Sequence, residues 1–347
     1  MSAKSSKKSK KASPAATNKP KVRIGFIGSG GIMNWHVDRL KKAPAEIVAL
    51  ADTAQGSIDR MKERQPQLAG AAEYLDWQKM LAAEKLDAVI LGSPHTVHYE
   101  QICAALDHGL HVLSEKPMTC TSAHARDIIQ RAKKAKKVVG ISYQRHFQGV
   151  YRFLRELVQT RKLGKITYVA AFQAQEWLHA VSGTWRQTQA LGGGGQINDS
   201  GSHLLDMVMW TTGLQASEVS CRQEFFGTEV DINSAVNVKF TNGALGTISI
   251  IGSAPVGFWE DFTIVGDKGC VFNRQGKVTW QDAAGGTTLE LNRKPDWMDP
   301  DTNFVAAIRG EAEIGCPPEI GLRVIELTEA AWRSHKQGGA VVKVERS

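Results

Sequence analysis

Short apolar runs alternate with helix-like amphipathic segments over the first part of the chain. The apolar runs, which we predict to be strands, lie at residues 22–27, 46–51, 87–91, 110–114 and 137–141. The segments with helical patterns lie at 34–42, 55–65, 97–108 and 121–136. Continuous apolar strands separated by helices are typical of a parallel sheet covered on both faces. The pattern therefore predicts a doubly wound α/β domain over residues 21–142.

The pattern changes after about residue 150. Helical patterns cover 151–162, 204–212 and 317–337, and alternating runs lie at 165–173, 218–224, 235–240, 246–252, 262–265, 269–273 and 277–281. Asn242-Gly243, between two alternating runs, is a strong β-hairpin signal. We predict an antiparallel meander with a few helices, an α+β domain over 143–347. Its final helix, 318–337, is expected to pack near the first domain.

The net charge of +8 in 347 residues belongs almost entirely to the N-terminus. Residues 1–21 contain seven lysines and no acidic residue, so the rest of the chain carries a net charge of only about +1. After Met1, residues 2–20 lack large apolar side chains, and residues 1–20 are predicted to be a disordered, solvated basic tail. We therefore expect no specific nucleic-acid partner. No run approaches about 18 apolar residues, so no membrane association is expected.

Five cysteines are widely spaced and include no C-x-x-C pair. An odd number without framework spacing is typical of buried thiols in a reducing compartment. The cytoplasm is the expected location.

A glycine cluster follows the first predicted strand and opens a helix. Gly28 can make a tight turn, and Gly30 and Gly31 allow a backbone to approach a pyrophosphate at the helix N-terminus, with Ile32 and Met33 next in the chain. Met33 stands where the third glycine of G-x-G-x-x-G would fall. Because glycines also end strands for steric reasons, this motif alone is weak evidence of dinucleotide binding.

Asp52 strengthens that interpretation. It ends the second predicted strand, 22 residues after Gly30, near the position of the acidic residue that binds a ribose hydroxyl. A carboxylate there repels a 2′-phosphate, and residues 53–55 supply no arginine, so NAD is favoured over NADP. The alternative is that Asp52 only caps the end of the strand.

Two polar loops follow the predicted strands at 87–91 and 110–114. Carboxyl ends of parallel strands are where open α/β sheets bind ligands. The residues concerned are Ser93, His95 and His98 in the first loop and Glu115, Lys116 and Pro117 in the second. The Lys116 ammonium would project toward a nicotinamide. The alternative is a solvated surface lysine.

Asp199 and His203 lie in an unusual glycine-rich stretch, 192–206. Spaced i, i+4, they would share one face of a helix, where the carboxylate would raise the basicity of the imidazole for general-base work. One alternative is a helix cap by Asp199 with His203 in the core. A metal site lacks an obvious third ligand, so no metal is expected.

The order GxGG…Asp, SPHxxH, EKP and GGGxxxDxGxH resembles the Gfo/Idh/MocA oxidoreductase family, which includes glucose–fructose oxidoreductase and inositol dehydrogenase. The resemblance covers the chain from about Val22 to its end. It implies a Rossmann domain and an α+β domain with a large, mostly antiparallel open sheet that forms dimers or tetramers. It also implies an NAD(P)-dependent enzyme that transfers hydride between a nicotinamide and a CH–OH carbon of a sugar, cyclitol or related compound.

The resemblance also assigns roles to individual residues. Lys116 polarises the reacting oxygen, His203 is the acid/base, Asp199 is its partner or a substrate ligand, and Pro117 follows a cis peptide. The residues placed at the cofactor are Gly28, Gly30, Gly31, Ile32, Met33, Asp52, Ser93, His95, His98, Glu115, Lys116, Gln144, Trp185 and Arg186. Those placed at the substrate are Lys116, Arg145, Asp199 and His203.

The sequence departs from the family pattern at two places. Met33 replaces a small residue where helix and strand approach, and Ser93-Pro94-His95 replaces the usual Thr-Pro-Asn. Two other functions stay open: a non-catalytic regulator that binds the dinucleotide, and an enzyme that uses tightly bound NAD for transient oxidation. The specific substrate is not predicted.

Overall fold

A computed structural model describes residues 20–284, 288–290 and 295–346. The predicted tail, residues 1–20, lies outside the described residues apart from Pro20.

The first sheet contains six parallel strands in the order β3-β2-β1-β4-β5-β6. Its strands are β1 (Val22–Ile27), β2 (Ala45–Ala51), β3 (Ala72–Tyr74), β4 (Ala88–Leu91), β5 (His111–Ser114) and β6 (Val139–Ile141). Its helices are α1 (Met33–Leu40), α2 (Gln55–Arg64), α3 (Trp77–Ala83), α4 (His98–Asp107) and α5 (Ser122–Ala135). The predicted doubly wound sheet is confirmed. The strand order reverses between β1 and β4, where such sheets form a ligand crevice.

The second sheet contains nine strands within the part of the chain that the structure describes. In chain order they are β7 (Ile166–Ala174), β8 (Ala216–Glu224), β9 (Asn233–Phe240), β10 (Leu245–Ile251), β11 (Trp259–Gly266), β12 (Gly269–Arg274), β13 (Lys277–Asp282), β14 (Thr288–Glu290) and β15 (Val342–Lys343). The helices of this half are α6 (Gly149–Gln159), α7 (Gln189–Gly192), α8 (Gly201–Thr212), α9 (Pro300–Ile308) and α10 (Pro318–Lys336). The spatial order is β14-β13-β12-β11-β7-β10-β9-β8-β15, antiparallel except for β7 with β10. The hairpin predicted at Asn242-Gly243 joins β9 to β10.

One face of this sheet is buried and the other is exposed. In β9 the buried Val236, Val238 and Phe240 alternate with the exposed Asn237 and Lys239, as period-2 strands require. Helices α8 and α10 pack on the buried face, and α6 packs on α8.

The last two helices return to the first domain. Phe304 and Val305 of α9 pack into the same apolar cluster as Val22 and Phe26 of β1. Helix α10 packs on α5, and Gly321 lies against Met118. The α9 helix has no counterpart among the predicted elements. It carries Asp301, which contributes to the site described below.

Two further expectations concern the surroundings of the chain. All five cysteines are free, and Cys103, Cys221 and Cys316 are buried. In the part of the chain that the structure describes, no helix combines the length and apolar character needed to cross a bilayer.

Candidate active site

The glycine turn lies at the carboxyl end of β1, at the crevice of the first sheet. Gly28 has φ +93°, and a Cβ there would lie 2.7 Å from the backbone of Gly92 after β4. A Cβ on Gly30 or Gly31 would meet nothing within 4 Å. The turn is therefore tight on the protein side and open on the other.

The open side of this turn fits a dinucleotide. Among the described residues, no acceptor bonds the backbone N–H of Gly30, Gly31 or Ile32, and these groups stand at the start of α1. The hydroxyl of Ser29 is buried without a partner. Unused donors at a helix N-terminus suit a pyrophosphate, so the residues present fit the group that the sequence predicts.

Met33 packs closely despite its size. It is fully buried, and its sulfur occupies the space beside Gly92, where a Cβ would lie 2.3 Å from it. The glycine that lets α1 approach the sheet therefore stands on the facing loop, which explains why the third glycine of the motif is dispensable here.

Asp52 holds the turn together. Its Oδ2 accepts from the N–H of Ser29 at 2.8 Å, and its Oδ1 accepts from the N–H of Ala54 at 3.0 Å. The structure therefore contains the alternative named above, in which Asp52 caps the end of the strand. Asp52 also remains partly exposed at the end of β2.

Lys116 and Asp199 form the centre of the site, with one residue from each domain. Nζ of Lys116 donates to Oδ1 of Asp199 at 2.6 Å, and both side chains are largely buried. Lys116 follows β5, and its bond to Pro117 is cis, as the family resemblance implies. A solvated surface lysine is excluded by this geometry.

Two other donors and one imidazole surround the Asp199 carboxylate. Oδ2 accepts from Nε1 of Trp177 at 3.0 Å and lies 3.3 Å from Nε of Arg186, and Nε2 of His95 lies 3.7 Å from Oδ1. Burial alone would raise the pKa of Asp199, but the cations Lys116 and Arg186 outweigh it and hold that pKa well below its usual range. Asp199 is therefore a fixed anion.

Trp185 contacts two of the residues that surround the Asp199 carboxylate. The Trp185 ring meets His95 edge-on at 4.8 Å and lies 4.5 Å beneath the guanidinium of Arg186. Burial lowers the pKa of His95 to about 3 despite its proximity to Asp199, so this imidazole is neutral. Trp177 was not among the predicted residues, because nothing in the sequence near it points to Asp199.

His203 occupies the first turn of α8, but not in the predicted partnership. Asp199 precedes the helix, in a turn where its N–H bonds to Gly195 O at 2.9 Å, so the two residues do not share a helix face. The carboxylate bonds to Lys116 instead, and Nδ1 of His203 is buried without a partner. Burial, Arg145 and Lys116 lower the pKa of His203 well below 6.5, whereas we expected Asp199 to raise its basicity.

The remaining predicted residues are dispersed along the crevice. The ring nitrogens of the buried His98 lie 2.9 Å from Pro117 O and 3.0 Å from Ser93 O, so His98 ties the two loops together. Gln144 is half-buried at the start of a short helical turn, 144–146, that also contains Arg145. A cofactor role for these residues stays a prediction.

Glu115 belongs to a buried charge chain that the sequence did not predict. Its Oε1 lies 3.2 Å from Nε2 of His36 on α1, and Nδ1 of His36 lies 2.6 Å from Oδ1 of Asp301 on α9. Burial would lower the pKa of His36, but the two carboxylates raise it to about 10. The pKa of Glu115 falls to about 2, because His36 and Lys116 outweigh its burial. This chain connects the helix of the glycine turn to the loop of Lys116.

The His36 imidazolium makes stability depend on pH. Its pKa is raised on folding, so its contribution is complete below the unfolded-state value of about 6.5 and is lost as pH rises through about 10. We expect the advantage of the wild type over His36→Gln, in free energy of unfolding by urea, to shrink steadily between pH 6.5 and 10. The exposed His108→Gln is the control. A constant difference across this range would contradict the assignment.

Asp231 anchors the glycine-rich loop that positions Asp199. Its buried carboxylate accepts from the N–H groups of Gly195 at 3.1 Å and Ile197 at 2.9 Å, and from Nε1 of Trp332 at 3.3 Å. A Cβ on Gly195 would lie 1.9 Å from the carbonyl oxygen of Asp231. The glycine at this position is needed for that close approach.

Gly195→Ala is expected to displace this loop. We predict a loss of roughly 3 kcal/mol in the free energy of unfolding, measured by urea titration, and a lower kcat because Asp199 moves with the loop. Gly70→Ala is the matched control, because a Cβ there meets nothing within 4 Å. An unfolding midpoint equal to that of the control would show that the loop adapts without cost.

Among the described residues, no group of three or more His, Cys, Asp or Glu side chains is arranged to hold a metal ion.

A Rossmann sheet with an open glycine turn, facing a second domain that supplies a buried carboxylate and an imidazole, defines a dinucleotide-binding oxidoreductase. The chain belongs to the GFO/IDH/MocA oxidoreductase family. Residues 22–143 match its NAD-binding Rossmann fold, and residues 151–272 match its C-terminal domain. The predicted family and fold class are confirmed.

Relatives and solved structures agree with this assignment. The chain is 28% identical over 258 residues to myo-inositol 2-dehydrogenase of Thermotoga maritima, covering 72% of this chain and 75% of the relative. It is 26% identical over 317 residues to the rhizopine catabolism protein MocA of Rhizobium meliloti, covering 90% and 94%. Its fold is similar to that of the WlbA dehydrogenase of Bordetella pertussis, solved with NADH and UDP-GlcNAcA. The TM-score is 0.83 at 21% identity, over 94% of this chain and all of that one.

Proposed function

We propose that the protein is an NAD-dependent dehydrogenase acting on a hydroxyl-bearing carbon of a sugar, cyclitol or sugar derivative. The observation that carries the proposal is the pairing of the Lys116 ammonium with a fixed Asp199 anion, close to an imidazole, that of His203, whose Nδ1 has no partner among the described residues. The names of the relatives, an inositol dehydrogenase and a rhizopine catabolism protein, support a carbohydrate-like substrate.

Bound NAD supplies the acceptor for the hydride that leaves the carbinol carbon. Lys116 donates a hydrogen bond to the reacting oxygen and stabilises its developing negative charge. Asp199 keeps Lys116 oriented, since it accepts from Nζ at 2.6 Å while Trp177 holds its other oxygen. His203 accepts the hydroxyl proton at Nε2, because Nδ1 is enclosed by protein.

The site is also suited to excluding water. Lys116 and Asp199 are largely buried, and His95 and Trp177 are nearly fully buried around them. In such surroundings, fixed dipoles and charges act more strongly on a reacting oxygen than they would in water.

A substrate panel tests the proposal. Purified protein with NAD is offered sugars, cyclitols, sugar acids and glycosides, and the absorbance of reduced nicotinamide is followed. We expect NADH to accumulate with at least one of them. Bound nucleotide in the purified protein without net NADH formation would indicate transient oxidation instead, and ligand binding without any turnover would indicate a regulator.

The preference for NAD over NADP is part of the proposal and rests on Asp52. Its carboxylate stands at the end of β2, while the guanidinium of Arg60 lies back over the start of α2, 3.2 Å from the Ser57 hydroxyl. We expect Asp52→Ser to lower the ratio of kcat/KM for NAD to that for NADP by about 100-fold, because the repulsion of the 2′-phosphate is removed. Asp59→Ser is the control, and an unchanged ratio would remove Asp52 from cofactor selection.

Two further points of the proposal concern the setting of the enzyme. A homo-oligomer through the exposed face of the second sheet is supported by the exposed Leu245 and by a groove that it lines with Tyr168 and Val341. Light scattering would measure that state. The five free thiols support a cytoplasmic location for the enzyme.

A further inference from the structure

The short turn 144–146 is fastened to the helix that carries His203. The ring of Tyr143 meets the ring of His203 edge-on at 5.5 Å, and Nε2 of His146 lies 2.9 Å from Oδ1 of Asp206, one turn further along α8. Both contacts are buried. Arg145, between Tyr143 and His146, is therefore held beside the proposed base.

The guanidinium of Arg145 is already engaged by a carboxylate. Its Nε donates to Oε1 of Glu260 at 3.2 Å, and its Nη2 donates to Oε2 of the same residue. The hydroxyl of Tyr151 donates to Oε1 of Glu260 at 2.6 Å. Only 11% of the Arg145 side chain and 4% of the Glu260 side chain are exposed. The pair is a bidentate, nearly dry ion pair with no net charge.

Rings hold this pair in place. The guanidinium carbon of Arg145 lies 5.7 Å from the centre of the Tyr151 ring and 5.9 Å from that of Phe258. Nη1 of Arg145 donates to no acceptor among the described residues. It can donate one hydrogen bond to a neutral oxygen without breaking the pair with Glu260.

The other two cations of the site share one carboxylate. Lys116 is paired with Asp199, and Arg186 approaches that carboxylate from the side of Trp185. Arg186 is about one third exposed. Arg145, by contrast, has the Glu260 carboxylate to itself, so the ion pair beside His203 carries no net charge.

We propose that the Arg145–Glu260 pair selects an uncharged sugar or cyclitol and excludes sugar acids and sugar phosphates. The inference rests on the proposed dehydrogenase function. An anionic substrate group beside Arg145 would have to displace Glu260 or remain next to its carboxylate in a dry environment, where like charges repel strongly. A hydroxyl incurs no such repulsion and accepts a hydrogen bond from Nη1 of Arg145.

The test compares neutral and anionic ligands that share a carbon skeleton. Full-length protein is assayed with NAD on methyl glucoside against methyl glucuronide, methyl galactoside against methyl galacturonide, and inositol against inositol phosphate. We expect kcat/KM to favour the neutral member of the best pair by about 100-fold. Equal use of the two members, or preference for the acid, would overturn the proposal.

Glu260→Gln supplies the second measurement. This change keeps the side-chain shape and leaves the Arg145 charge unmatched, so the neutral-to-acid ratio is expected to fall by at least about 10-fold through faster turnover of the acid. Glu218→Gln, on the same sheet at the exposed face, is the control. An unchanged ratio in folded Glu260→Gln protein contradicts the inference. If that variant does not fold, the wild-type ratio decides.

Failure of the dehydrogenase proposal is separable from failure of this one. If the wild type oxidises no compound, calorimetry with the same pairs in the presence of NADH measures binding alone. Tighter binding of the neutral member would then support the charge selection, and a neutral member that binds no better than its acid would overturn it.

Discussion

Lys116→Met is expected to lower kcat by about 1,000-fold while NAD still binds with nearly wild-type affinity. The change removes the ammonium that stabilises the developing negative charge on the substrate oxygen. The glycine turn and Asp52 are untouched, and Asp199 keeps its bonds to Trp177 and Arg186. Steady-state kinetics on the best substrate measure turnover, and fluorescence titration measures dinucleotide binding.

A surface lysine provides the comparison. Lys133→Met removes a charge of the same sign from an exposed side chain and is expected to leave kcat within a factor of two. Near-normal turnover in Lys116→Met would exclude the ammonium from the chemistry. Loss of NAD binding together with turnover would instead place Lys116 at the cofactor alone.

His203→Ala is expected to lower kcat by about 1,000-fold as well, because the two neighbouring buried imidazoles are poorly suited to take the hydroxyl proton, and burial lowers the pKa of His95 to about 3. His95 bonds to Gly192 O, and both ring nitrogens of His98 face carbonyl groups. The measurement is kcat against pH with saturating NAD. Added imidazole is expected to restore part of the turnover in the cavity that the substitution leaves.

The direction in which kcat/KM changes with pH follows from the surroundings of His203. Burial, Arg145 and Lys116 hold the pKa of His203 well below 6.5, so the imidazole is a neutral base at pH 7 and is protonated only at more acidic pH. The acidic limb of kcat/KM for oxidation is therefore expected below pH 6.5 and is expected to be absent from His203→Ala. A limb that persists in the variant would belong to another group.

The sequence predicted the first sheet well because of the way its strands are buried. Strand β4 is fully buried along its length, and such a strand appears in the sequence as an unbroken apolar run. Strand β3, with three residues, is too short for any periodicity to be detected. The long period-2 strands of the second sheet and the Asn-Gly turn were detectable for similar reasons, although the parallel pairing of β7 with β10 was not.

Only those parts of the candidate site that lie in sequence motifs could be predicted. Lys116, Asp199 and His203 were selected as candidates through their spacing and the family resemblance, but the Asp199 carboxylate bonds to Lys116 and not to His203, the partner expected for it. The reason is that α8 begins at Gly201, after Asp199, so helical spacing does not apply. His36 meets Asp301 across 265 residues and Arg145 meets Glu260 across 115, and no local pattern records such contacts.

The return of α9 and α10 to the first sheet governs the order in which the molecule can be completed during synthesis. Phe304 and Val305 fill the core beside β1, and α10 covers α5. A ribosome that has released residues 21–142 has therefore delivered every strand of the Rossmann sheet but not the side chains that seal it. Part of the apolar surface of that sheet is expected to stay exposed until the final helices have been synthesised. A fragment ending at residue 142 is therefore expected to aggregate.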